Sequence, residues 1–176
     1  RMLGTVAAYQ LFKLTQDSFS IGLARLSEFI PVFLLALYAG HVIDKSDKRT
    51  LLLRGVMTYS LCVIALIVIT SPWFSKQINL HSLPLFFYGV IFCTGAIRAF
   101  TGPSTNAILA QLVPRGILHF AANISSSTWL AASITGHASA GFFIAWFGVH
   151  TTFYIILAYV LIAAFLISMI SKKPVV

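Results

Sequence analysis

Acidic residues are almost missing from this chain: four Asp and Glu stand against twelve Lys and Arg in 176 residues. Charge of either sign is scarce, at 9% of residues, where a soluble domain carries about 25%. Together with 59% hydrophobic residues and a mean hydropathy of +0.92, this excludes an ordinary soluble domain. Cysteine is limited to Cys62 and Cys93, both inside apolar runs, where a free thiol behaves as a small hydrophobe. Neither a disulfide framework nor a metal site is implied. No H-E-x-x-H, G-x-S-x-G or paired-aspartate pattern occurs, so no catalytic residue is indicated and the expectation is a protein that is not an enzyme and needs no cofactor. The net charge of +8 lacks the interleaved aromatics of a nucleic-acid surface, so no nucleic acid is expected as a partner. It reads instead as orientation and contact with anionic membrane lipids.

Long apolar runs are what the chain has. Residues 19–42, 51–70, 83–112, 117–147 and 151–171 each approach or exceed the ~20 residues that an α-helix needs to cross a bilayer. Residues 1–13 are too short to cross and lack a signal-peptide cleavage pattern, so they read as the end of a truncated first span. The expected fold is an all-α membrane protein, a six-helix half-bundle whose first helix is truncated. Cations sort by side. Lys45, Lys48, Arg49, Arg54, Arg115, Lys172 and Lys173 fall on one side of the spans, and only Lys13 and Lys76 on the other, which puts the 40–49 loop in the cytoplasm. Trp73 and Trp146 then both lie at the outer interface, where indoles collect.

The chain is organised around the charged run Gly40-His41-Val42-Ile43-Asp44-Lys45-Ser46-Asp47-Lys48-Arg49 between two spans. It reads as a wet, tightly turned and largely self-neutralising loop, with Asp44 just past the end of the second helix. A basic loop can be only a topology signal. The order of residues carries more. Gly40, Asp44-Lys45 and Asp47-Lys48-Arg49 resemble the signature loop between the second and third helices of major facilitator superfamily transporters. Asp47 stands where many members carry Gly, a variant similar to the enterobactin-exporter-like, drug-efflux-like branch. The resemblance covers the whole chain, including Gly102-Pro103 and residues 111–115. It implies that residues 1–176 are an N-terminal transmembrane half whose C-terminal six-helix partner is absent from this chain. It also implies a bacterial inner-membrane location, a small-molecule substrate and coupling to protons.

Polarity is unequal among the spans. The third and last are almost free of charge, whereas the second, fourth and fifth hold nearly all the polar groups inside the membrane. Arg98 lies deep in the fourth span, and an ionised side chain there costs at least about 2.5–3.5 kcal/mol, so it needs a partner or water. It either snorkels to the cytoplasmic face or serves function; Arg98 to Gly102 resembles the R-x-x-x-G core of the family's fourth-helix motif, which implies a part in proton coupling. Glu28, the lone acid within a span, is three residues from Arg25 and so on the same helix face. Arg25 either neutralises it or Glu28 exchanges protons, because a carboxyl in low dielectric holds its proton until water or a cation arrives.

In the fifth span small residues recur at Ala132, Gly136 and Ala140, with Gly141 beside them, a spacing that lets helix backbones approach closely. His137 follows Gly136 where the family's fifth-helix motif often has Pro, and a His in a helix this rich in Ser and Thr reads as a hydrogen-bonded packing residue or a relay. Three classes of function follow. A secondary transporter performing proton-coupled efflux agrees with the signature loop, an intramembrane enzyme has no motif, and a non-transporting membrane module or fusion-anchoring half remains the alternative.

Overall fold

A computed structural model of the chain describes residues 2–73 and 82–169, and among these all regular structure is helical. Lys76, Lys172 and Lys173, used in the cation count, lie outside the described residues, as does the end of the 151–171 span. The helices are α1 (Met2–Thr15), α2 (Phe19–Lys45), α3 (Lys48–Thr70), α4 (Leu83–Leu112) and α5 (Leu118–Met169), with a 3-10 turn at Arg115–Ile117 before α5. The last four are long and apolar enough to cross a membrane.

Among the described residues five α-helical elements stand where six spans are expected, because the last, Leu118–Met169, joins two helices across a kink. The difference is at residues 148–150, read from the sequence as a turn between separate helices. The structure confines that turn to Gly148, at φ 77° and ψ 168°, and α5 is helical on both sides of it. Those angles are open essentially only to glycine, so one residue suffices to redirect the chain. Residues on both sides of the kink, Ala140 before it and Phe153 and Ile156 after it, bury themselves in the same core.

The charged loop is also shorter than expected. α2 continues through Asp44 and Lys45, α3 begins at Lys48, and only Ser46 and Asp47 separate them. Asp44 is thus in the last turn of α2 rather than beyond it. The reason lies in Asp47, which acts as an N-cap: its carboxylate accepts the backbone N–H of Arg49 at 3.3 Å and the Thr50 hydroxyl at 2.6 Å. A side-chain acceptor at that position satisfies donors that the first turn of a helix leaves without partners. At the other end of α2, the backbone turns at Gln16, whose φ of 54° ends α1, and Asp17 Oδ1 accepts the N–H of Phe19 at 3.0 Å.

Two apolar clusters hold the helices together. The larger joins Leu3, Val6 and Leu11 of α1, Val63 and Leu66 of α3, Phe87 and Ile91 of α4, and Phe153 of α5, with Ala24 at the edge of α2. The smaller joins Ala39 and Ile43 of α2 to Ala99 of α4. α4 packs chiefly on α2 and α3, while α5 packs on α1 and α3 and touches α4 little. Large apolar side chains line the outside, among them Phe33, Leu34 and Leu37 on α2 and Phe120, Trp129 and Ile134 on α5. That outward apolar surface fits a chain whose solvent is lipid.

Candidate functional site

Between the two clusters, α2 and α4 cross at close range. The crossing is set by Gly95 on α4, where an added Cβ would collide with the backbone carbonyl of Glu28 and come within 2.8 Å of the Pro31 ring. Pro31 is itself buried within α2. A glycine facing a backbone carbonyl lets two helices approach where any side chain would hold them apart. One turn further along α4 is Arg98, so the close approach brings its guanidinium to Glu28.

The result is an ion triad. Arg98 Nη1 donates to Glu28 Oε1, and Arg25 Nη1 donates to the other oxygen, Oε2, at 3.4 Å. Glu28 lies about 14 Å along α2 and Arg98 about 22 Å along α4 from the helix starts, at 1.5 Å per residue. Both are therefore well inside spans that Phe19 and Leu83 begin. Glu28 is the most enclosed, its side chain 16% exposed, against 35% for Arg98 and 50% for Arg25. Arg25 leans over α1, where its Nη1 would sit 3.2 Å from a Cβ on Gly4. A cavity of about 20 Å³ adjoins the triad, also lined by Gly4, Tyr59 and Thr94, with room for about one water.

Arg98 reaches a carboxylate on a neighbouring helix, and Glu28 pairs with Arg25 and Arg98 at once. Gly102 does not join them: it is exposed on α4, with open space where a side chain would go. Beside it Pro103 interrupts the backbone bonding of α4, and the hydroxyls of Thr101, Ser104 and Thr105 donate to the carbonyls of Ile97, Phe100 and Thr101 around that point.

The signature-loop residues form a separate group. Gly40 is half-buried, Asp44 and Lys45 are exposed, and Lys48 and Arg49 are half-buried at the start of α3. Among the described residues Asp44 makes no ion pair, and Asp47 caps α3. Arg49 instead donates through Nη2 to the backbone carbonyl of Ser168, tying the start of α3 to the last turn of α5. A cation at a helix C-terminus meets carbonyls that have no partner within the helix.

Of the small residues on α5, Ala140 is fully buried against α1 and α3, Gly136 is half-buried, and Ala132 and Gly141 face outward. His137 Nδ1 shares a hydrogen bond of 2.7 Å with the Thr5 hydroxyl of α1. Sequence reasoning missed Gly95, Gly4, Pro31 and Tyr59. Gly95 had a usable signal, a glycine one turn from an arginine in an apolar run; the others depend on which helices become neighbours.

The family model for the Major Facilitator Superfamily matches residues 1–175 of the chain. Among curated proteins, the chain is similar to the uncharacterized MFS-type transporter YfiS of Bacillus subtilis (strain 168), at 26% identity over 151 residues, covering 86% of this chain and 33% of that protein. The chain thus spans about a third of the length of the curated relative it matches. No solved structure matches significantly.

Proposed function

The chain belongs to the major facilitator superfamily, and on that footing we propose that it forms the N-terminal half of a proton-coupled secondary transporter that exports a small molecule. The observation that carries the reading is the Glu28 carboxylate held between Arg98 of α4 and Arg25 of α2 inside the membrane. A titratable acid bridging two helices is a two-state element. Ionised, it draws α2 and α4 together; protonated, it releases both guanidinium groups and loosens the crossing at Gly95. Protonation from one side of the membrane and release on the other then biases the helices between two arrangements.

The loop at Ser46 and Asp47 has a different part. With Asp44 and Lys45 exposed beyond the helix packing, it is a cytoplasmic latch that engages a C-terminal half in one state of the cycle. The outward faces of α2 and of α5 before Gly148 supply the rest of that contact. Bacterial inner membrane is the location that the resemblance implies.

Two experiments test this on the protein as the cell makes it. Single cysteines at Ser46 and Gln16, on a background lacking Cys62 and Cys93, report sidedness: an impermeant thiol reagent added to intact cells labels Gln16→Cys and spares Ser46→Cys. The reverse pattern overturns the orientation. In inside-out vesicles, a compound exported by the wild type in response to an imposed proton gradient is carried without gradient dependence by Glu28→Gln, provided the variant inserts normally. Full gradient dependence in a well-inserted Glu28→Gln removes Glu28 from coupling.

A further inference from the structure

The interior of this bundle holds more positive charge than negative. Arg25 and Arg98 converge on Glu28, two guanidinium groups on one carboxylate. The chain's other three acids are elsewhere: Asp17 bonds the start of α2, Asp47 caps α3, and Asp44 is exposed in the last turn of α2. Among the described residues one positive charge is therefore left without a counter-charge at the triad. Such a charge is expensive in low dielectric unless it faces water or an anion.

The exposures follow that logic. The acid is the enclosed member, and the two cations turn partly outward, Arg98 at 35% and Arg25 at 50%. Each guanidinium spends one nitrogen on Glu28, and among the described residues neither bonds another side chain. A guanidinium has five N–H donors in a planar fork that matches a carboxylate. Donors are thus left over on both sides of Glu28. The space beside the triad admits about one water, and Arg98 and Tyr59 also border a second cavity of about 250 Å³ between α3 and α4, lined by Gly55 and Thr101. One oxygen of an anionic head fits the first space, and the rest of a small body needs the second or the open side at Arg25.

We propose that Arg25 and Arg98 receive the carboxylate of a small organic anion, with Glu28 as the internal counter-ion that holds both guanidinium groups ready. An organic cation is disfavoured at the same place, because it meets two guanidinium groups before the one acid, whose two oxygens are already engaged. The inference rests on the transporter reading and names the charge class of its substrate.

The test uses the protein as the cell makes it, in nanodiscs of phosphatidylcholine, titrated calorimetrically with three near-isosteric probes: benzoate, benzamide and benzamidinium. Benzoate is expected to bind at least about tenfold more tightly than the other two. Arg25→Gln and Arg98→Gln each weaken benzoate about tenfold or more. Arg25→Gln leaves a neutral Glu28–Arg98 pair, so it reports on binding even if other variants fold poorly. Glu28→Gln, where it folds, binds benzoate at least as tightly as wild type. Equal affinity for the three probes overturns the proposal, and so does tightest binding of benzamidinium with its loss in Glu28→Gln. Repeating the titration with phosphatidylglycerol in the disc separates sources of the anion: unchanged benzoate affinity supports a soluble ligand, whereas displacement assigns the site to a headgroup and overturns it. Loss of the anion preference with export intact sinks this inference alone; absence of export of any compound sinks the transporter reading.

Discussion

Two places in this chain set acids beside bases in the sequence, and the structure treats them in opposite ways. At Asp44–Arg49 the charges are adjacent along the chain, yet Asp47 spends its carboxylate on the backbone and hydroxyl of α3, and Arg49 spends its guanidinium on the end of α5. At Glu28 the charges come from two helices and pair through both carboxylate oxygens. The difference is what lies within reach. At the helix ends, backbone groups without partners in the helix take up the charged side chains, and local capping wins. Inside the bundle an unpaired ion is costly, and pairing wins.

Substitutions sharpen this contrast, beginning with the largest effect. Gly95→Leu drives a side chain into the Glu28 carbonyl and separates the triad, combining overpacking with loss of the pair. A cost above about 4 kcal/mol is expected, read as loss of folded protein by fluorescence-detected size exclusion. Glu28→Gln keeps the packing but leaves two guanidinium groups without their acid. Both are partly exposed, so about 3 kcal/mol, the low end for a broken buried pair, is expected in detergent unfolding. Asp47→Ala removes only a cap and should cost about 1 kcal/mol in the same assay. Lys45→Ala, at an exposed position, should stay within about 0.5 kcal/mol. A Lys45→Ala cost equal to that of Glu28→Gln would erase the distinction between the two regions.

The helices that cross the membrane were legible because hydropathy reports length directly: apolar runs at 51–70 and 83–112 appear as Lys48–Thr70 and Leu83–Leu112. Their ends were less so. Charged residues Asp44 and Lys45 mark the membrane boundary, yet the helix continues through them, since hydropathy senses lipid and not backbone hydrogen bonding. Gly148 was legible as a break but not as a break of one residue. At the site, Glu28, Arg25 and Arg98 stood out by the cost of charge in lipid. Their meeting was not readable, because it depends on Gly95 facing the Glu28 carbonyl, a contact between residues 67 positions apart in the chain. The small residues of α5 were read as a packing stripe, yet only Ala140 is fully buried within the described helices.

The central claim is that Glu28 and Arg98 act as one unit across α2 and α4. A double-mutant cycle measures that unit directly: the stabilities of wild type, Glu28→Gln, Arg98→Gln and the double variant, by detergent unfolding of the reconstituted protein. The structure predicts that the double variant is more stable than the sum of the single losses allows, with a coupling above about 1 kcal/mol. Losses that add within about 0.5 kcal/mol would contradict it, since residues that do not touch behave that way.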